Sequence, residues 1–439
     1  MTETAAPRLS IRGARVIDPA RGYYAVTDLH VAAGKIVALG PAPDGFCPER
    51  TLEADGWLAI PGLIDLCARL REPGAEQKAT LRSETRAAAA AGITTLCCPP
   101  DTHPVIDTPA VAQLIRRTAA RHGFARVLPA GSLTRGLKGK HLSEMAALQQ
   151  AGCPVLSHAD RPLNDTRVLR RALEYATTFA LTCMLSPVDG PLSEGGLVHE
   201  GVVSARLGLP GIPEAAETVA VARDLALAEQ TGARIHFRGL STARGVAMVA
   251  EARARGIAVT ADVGVHQLFL TEEAIGTFDA NAYVLPPLRT EADRQALRAA
   301  VAAGHIDALC SDHQPHEPDA KLNPLPQTQP GLSGLETLLP LTLRLVTEGV
   351  LSLHAALACV TSKPAAILGL DAGRVAPGAV ADLCIVDPGA RWRVSPETLY
   401  SRGHNTPFLG AEMQGQTRWT LLGGRIVFAR ESSPAVGSV

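Results

Sequence analysis

Between residues 60 and 371 the chain alternates short apolar runs with Ala- and Arg-rich stretches of helical spacing, eight times over. The apolar runs begin at Leu63, Ile93, Arg126, Pro154, Leu181, Arg234, Ile257 and Ile306. Each is followed by an amphipathic stretch or by a turn leading into one, as at 108–121, 165–179, 213–230 and 291–303. A strand buried on both faces reads as a continuous apolar run, whereas a helix lying on a sheet repeats its apolar residues every three to four positions. Eight such units over roughly 310 residues predict a closed (β/α)8 barrel. An open doubly wound sheet is the competitor, but no Gly-x-Gly-x-x-Gly follows a strand, so a dinucleotide would find no phosphate cradle.

Both ends of the chain read differently. Leu9, Ile11, Val16 and Ile17 lead to an Asp18-Pro19 turn, and Leu29 and Val31 lead to Gly34 and a second short run. The far end repeats this pattern in Ala381-Asp382-Leu383-Cys384-Ile385-Val386 and in Trp419-Thr420-Leu421-Leu422-Gly423-Gly424. Either end alone is a thin sheet with little apolar surface to bury. Together they predict one small β-sandwich domain from residues 1–59 and 372–439, with the barrel at 60–371.

Composition narrows the function. The chain is 46% hydrophobic and 19% charged, which excludes wholesale disorder. A formal net charge of −1 argues against nucleic-acid and acidic-membrane partners. No apolar run approaches the roughly 20 residues of a membrane span, and Met1-Thr2-Glu3-Thr4 does not open a secretory signal. The nine cysteines are scattered inside apolar runs such as Leu96-Cys97-Cys98, which predicts reduced, buried thiols in a cytoplasmic protein.

Chemistry in such a barrel belongs at the C-terminal ends of its strands. The residues closing the runs include His, Asp, Cys and Arg, but on their own only Cys67, His158, His236 and Asp312 are plausible metal donors.

Several stretches, taken in order, resemble the dihydroorotase branch of the amidohydrolase superfamily. They are Pro61-Gly62-Leu63-Ile64-Asp65, Leu70-Arg71-Glu72-Pro73-Gly74, Gly92-Ile93-Thr94-Thr95, Pro286-Pro287-Leu288-Arg289, Asp312-His313-Gln314-Pro315-His316, Gly334-Leu335-Glu336 and Asn405-Thr406-Pro407-Phe408. The resemblance implies the barrel and the composite β domain. It also implies an enzyme that opens or closes the dihydroorotate ring with zinc-bound hydroxide, the metal lowering the pKa of water to about 7.

Against that pattern the metal positions are degenerate. The two histidines of the opening Asp-x-His-x-His-Leu-Arg motif read Cys67 and Arg69. The bridging carboxylate falls near His158, and the histidines after strands five and six fall on Ser186 and Gly239. Of the ligand set only Asp312 is kept, so Asp312 and the neighbouring His313 would be vestigial. Arg71 matches the arginine that grips the substrate carboxylate, while the two assisting Asn positions read Asp101 and Leu285. A carboxylate at 101 would repel an anionic substrate. Asn405 would order the loop joining barrel and β domain, and Arg71, Asp101 and Asn405 would be remnants of substrate binding.

Losing one outer partner of a metal typically costs 10–100-fold in affinity or activity, and here the imidazoles themselves are gone. Arg69 would also set a permanent cation where a dication must sit. Like unit charges 4 Å apart repel by roughly 4 kcal/mol at an effective dielectric of 20, and a dication doubles that. The expected arrangement has Arg69 filling the metal's volume and pairing with Asp65 or Asp312, with no zinc and no other cofactor. The competing site is a single zinc on Cys67, His158 and Asp312.

The resemblance is therefore to the catalytically silent dihydroorotase-like chains that partner aspartate carbamoyltransferase. It implies a hetero-oligomer (a dodecamer is one candidate) acting in pyrimidine biosynthesis. The alternatives are an active cyclic amidohydrolase with an altered site, and a sensor that binds pyrimidine intermediates through Arg71.

Overall fold

The computed structural model describes residues 6–430; the polar start and the expected loose tail at 431–439 lie outside the described residues. Five strands come first: β1 Leu9–Asp18, β2 Tyr23–Ala32, β3 Lys35–Leu39, β4 Arg50–Glu53 and β5 Leu58–Pro61. β1 pairs antiparallel with β2 and parallel with β4 and β5. β5 runs on to Pro61 before the barrel starts at Leu63. The expected boundary at 59/60 therefore cuts a sandwich strand. Residues 58–61 are uniformly apolar, so only their pairing with β1 and, at the other end of the chain, with the strand at Leu383–Arg393 assigns them.

The barrel strands are β6 Leu63–Asp65, β7 Ile93–Cys98, β8 Arg126–Pro129 with its continuation β9 Gly131–Ser132, β10 Val155–Ser157 and β11 Thr182–Leu185. A two-stranded insertion follows, β12 Val198–His199 with β13 Gly211–Ile212. The barrel then resumes with β14 Ile235–Phe237, β15 Val259–Gly264 and β16 Ala308–Cys310. All neighbouring pairs are parallel. The circle closes where Ala68 bridges His313, with Arg69 N donating to His313 O at 2.8 Å. Of the eight expected starting points, Leu63, Ile93 and Arg126 begin strands, and the other five lie one or two residues ahead of theirs.

Helices lie outside the strands, among them Leu81–Ala90, Pro109–His122, Thr166–Thr178, Ala215–Thr231, Ala243–Ala254 and Glu291–Ala302. Their starts are set by capping side chains that accept otherwise unpaired N–H groups. Asp165 Oδ1 accepts from Arg167 N at 2.9 Å, and Thr290 and Asp293 form a reciprocal capping box. Arg167, Arg170 and Arg171 pair with Asp165 or Glu174 on the surface. Inside the barrel Ile64, Cys67, Cys97, Val155, Met184 and Cys310 pack together. Cysteine here acts as a small apolar filler, and eight of the nine free thiols are buried, Cys47 alone being exposed.

The chain returns to the first domain with β17 Leu383–Arg393, β18 Glu412–Leu422 and β19 Arg425–Ala429. The sheet order is β19-β18-β17-β5-β1-β2-β3, with β4 on β1. A bridge from Lys35 to Val380 curls its far edge back toward β17. The sandwich so formed buries Leu9, Ile11, Val31, Ile36, Leu383 and Ile385. It presses closely on the barrel. A Cβ at Gly92 (φ +85°) would stand 2.2 Å from Cys384 Sγ, so only glycine fits, and Thr420 Oγ1 donates to Ala89 O at 2.6 Å.

Candidate functional site

The loops leaving the C-terminal ends of the strands bring two guanidinium groups and three carboxylates together. Arg69, after β6, donates through Nε to Asp101 Oδ2 at 2.8 Å and through Nη2 to Asp160 Oδ2 at 2.5 Å. Arg238, after β14, donates through Nη1 to Asp312 Oδ1 at 3.2 Å and pairs through Nη2 with Asp160. The same Nη1 lies 2.5 Å from Cys67 Sγ. Ser186 Oγ accepts from Arg238 Nη2 at 3.0 Å and donates to Asp160 Oδ1 at 3.2 Å. Both arginines are 6% exposed at the side chain, so their partners act through little water. Burial works against ionising Asp101, yet Arg69 outweighs it and holds that carboxyl below its ordinary range. Burial also disfavours the Arg69 and Arg238 cations, but the anions around them raise their proton affinity.

This corrects the sequence reading at several points. Arg69 does not pair with Asp65 or Asp312. Asp65 is already taken by Ser311, whose backbone N–H donates to Oδ1 at 3.0 Å and whose hydroxyl donates to Oδ2, and Asp312 is taken by Arg238. Asp101 is not a free negative charge, since Arg69 neutralises it. The carboxylate near His158 is Asp160, two residues further on, which the sequence did not single out. Nor did it single out Arg238, although an arginine beside Gly239, a vacated ligand position, was the available signal. Gly239 itself (φ +69°) turns the chain, its N–H donating to Asp262 Oδ1 at 2.7 Å.

Zinc requires thiolate, imidazole or carboxylate donors at 2.0–2.3 Å around one point. The donor set here does not fit that ion. Cys67 Sγ and Asp312 Oδ1 lie 3.5 Å apart, and the Arg238 guanidinium contacts both. Burial raises the Cys67 thiol well above its ordinary value, with Arg238 opposing. His158 is buried with no partner on Nδ1, and burial together with Arg161 pushes its pKa down to about 4. Among the described residues no three His, Cys, Asp or Glu side chains converge as a metal site. His236 is held instead in a core network, Nδ1 with Thr260 Oγ1 at 2.8 Å and Nε2 with Asp262 Oδ2 at 3.0 Å.

Arg71 is committed elsewhere. It donates through Nε to Pro315 O at 3.0 Å and contacts His316 Nε2 through Nη2 at 3.1 Å. Lys78 Nζ reaches His316 Nδ1 at 2.9 Å, and Asn405 accepts from His316 N and donates to Gln314 O and Gly331 O. Arg71 and Asn405 thus strap down the loop after β16. Within that loop His313 is fully buried, its Nε2 2.8 Å from Glu84 Oε2, while Nδ1 accepts from Gly334 N.

Glu336 accepts the backbone N–H groups of Tyr400 and Ser401, and burial raises its pKa to about 8. The folded state therefore binds this proton more tightly than the unfolded chain. The group's contribution is fully present below pH 4.5 and is lost as pH rises to about 8. In urea titrations the Glu336→Gln variant should gain stability relative to the parent as pH rises through that window. A parent–variant difference independent of pH would contradict the assignment.

Comparison with known proteins places this geometry in a family. A dihydroorotase-like protein of Pseudomonas aeruginosa is 53% identical over 418 residues, covering 95% of this chain and 99% of that protein. The chain belongs to the dihydroorotase-like family. The family model described as Dihydro-orotase-like matches residues 56–244. A dihydroorotase of Geobacter sp. (strain M21) is 42% identical over 96% of this chain and 99% of its own length. Among solved structures, L-hydantoinase (dihydropyrimidinase) from Arthrobacter aurescens superposes with a TM-score of 0.86 at 21% identity, covering 97% of each chain. That likeness shows the fold alone: a parallel (β/α)8 barrel carrying a β-sandwich domain.

Proposed function

We propose that this dihydroorotase-like chain is a non-catalytic subunit. It would support the assembly and activity of aspartate carbamoyltransferase in a hetero-oligomer of pyrimidine biosynthesis. The observation that carries the reading is the pair of guanidinium groups, Arg69 and Arg238, seated among Asp101, Asp160, Asp312 and Cys67 at the barrel mouth. Two fixed cations stand where the family's chemistry needs a dication, and the carboxylates that would ligate it are spent on them. Arg71 supports the same reading, because the fork suited to a substrate carboxylate is engaged with Pro315 and His316. No described helix is long and apolar enough to cross a membrane, and a cytoplasmic location suits such a subunit.

Two measurements on purified protein test this. Metal analysis should find well under one equivalent of zinc, and dihydroorotate should not be turned over even with zinc added. Mixed with its own organism's aspartate carbamoyltransferase, the chain should co-elute as a larger complex; two separate peaks would overturn the partner claim. The second reading, an active cyclic amidohydrolase, is favoured by the name dihydroorotase on relatives about 42% identical. Bound zinc together with ring opening would establish it.

A further inference from the structure

The face of the barrel opposite the mouth carries an unbalanced set of arginines. From residue 108 to 143 the chain has seven Arg and Lys residues and no Asp or Glu, in a protein whose formal net charge is −1. Four of them, Arg116, Arg117, Arg121 and Arg126, lie on the helix Pro109–His122 or at the start of β8. Arg116, Arg117 and Arg126 line an open groove of about 670 Å³, together with the apolar Ala125, Leu128 and Leu422. Two of these cations are engaged: Arg116 Nη1 donates to Ala151 O at 2.7 Å, and Arg126 Nη1 to Asp382 Oδ2 at 2.9 Å. Arg117 and Arg121 are exposed, and neither has an ion pair or a side-chain hydrogen bond among the described residues. Position 113, one turn before Arg117, is a glutamine where a glutamate would pair with it. Like charges four residues apart on a helix repel, and the helix's C-terminal end compensates only Arg121, which stands in the last turn. Leu114, three residues before Arg117 on the same face, is 52% exposed.

This face thus offers two guanidinium groups without partners, an exposed leucine and an apolar groove beside them. Arg117 and Arg121 are separated by about 6 Å along the helix axis. Residues facing the same way in an extended segment repeat at about 6.6 Å. A polypeptide bearing several carboxylates matches that spacing, whereas a single small anion would use only part of the groove. Arginine beside apolar surface is also the composition enriched where proteins meet. We propose that the groove docks an acidic segment of a protein partner, its carboxylates on Arg117 and Arg121 and its apolar side chains against Leu114 and the groove. Such docking rests on the subunit reading, in which the chain serves by being held to another protein, and it puts the grip at the far end of the barrel from the filled mouth.

Fluorescence anisotropy of the full chain with a labelled peptide of glutamates interrupted by leucines tests the surface. The peptide should bind saturably at one site per chain in low salt. Arg117→Glu with Arg121→Glu should weaken it at least about 10-fold, because each attraction becomes a repulsion. Arg117→Lys with Arg121→Lys should keep most of the binding. Arg167→Glu, a reversal at an exposed position on another helix, should leave it unchanged. Circular dichroism checks the fold, and if the double reversal misfolds, Arg117→Gln with Arg121→Gln takes its place. No saturable binding, equal binding by the double reversal, or equally tight binding of pyrophosphate or a single-stranded oligonucleotide would overturn the proposal. In the mixture with the transferase, the double reversal should lose the co-elution that the parent shows; undiminished co-elution would also overturn it. A parent that binds the peptide at these arginines but does not co-elute supports the groove and sinks the subunit reading.

Discussion

Arg238→Met should lower the unfolding free energy by about 3–5 kcal/mol, the range for removing one partner of a buried ion pair. Arg238 sits among Asp160, Asp312, Cys67 and Ser186, and methionine keeps its volume without its charge. The penalty comes from stranding Asp312, whose side chain is 9% exposed; Asp160, at 29%, retains some access to water. Adding Asp312→Asn to Arg238→Met should recover part of the loss, because the stranded charge then disappears. Urea unfolding with linear extrapolation measures both. A loss below about 1 kcal/mol would put this cluster in the class of exposed surface pairs and remove the energetic reason for its two arginines.

Glu84→Ala should cost about 4 kcal/mol or more, since each buried donor left without an acceptor costs about 1–3 kcal/mol. Glu84 is fully buried on the helix Leu81–Ala90. His313 Nε2 contacts it at 2.8 Å, and it accepts from Ser401 Oγ at 2.7 Å, Ser83 Oγ at 2.7 Å and Arg402 N at 3.2 Å. Burial works to raise its pKa, but the bonds from His313, Ser401 and Ser83 prevail and hold it below the ordinary glutamate range. A depressed carboxylate stabilises the fold above its unfolded pKa of 4.5 and loses that contribution as pH falls through the folded value. Thermal melts from neutral pH into acid should therefore converge for Glu84→Ala and the parent. Parallel curves would show that ionised Glu84 is not the source.

The sequence made the barrel legible because strands buried on both faces leave apolar runs that no other element produces at that spacing. Helical spacing likewise located the helices at 165–179 and 291–303. The join at Leu58–Pro61 was not legible, since apolar residues there would suit either domain and only pairing with β1 and β17 decides. In the site, the loss of the imidazoles at positions 67 and 69 could be read directly. The pairing of charges could not, because Arg69 meets partners 32 and 91 residues away, and which carboxylate faces which cation depends on the barrel's curvature. The sequence reading placed one cation, Arg69, in the metal's volume, where the structure brings Arg238 in beside it. Arg238 lies in sequence beside a glycine that carries no donor, and it arrives from the opposite wall.

The helix Leu81–Ala90 is fastened near its start through Glu84 to Ser401 and Arg402, and at its end through Ala89 to Thr420. A strut pinned at two points has no hinge, so the sandwich cannot swing against the barrel about this helix. Any protein that grips one domain therefore fixes the orientation of the other, and two distant contact points on the same body can act as a spacer of set length.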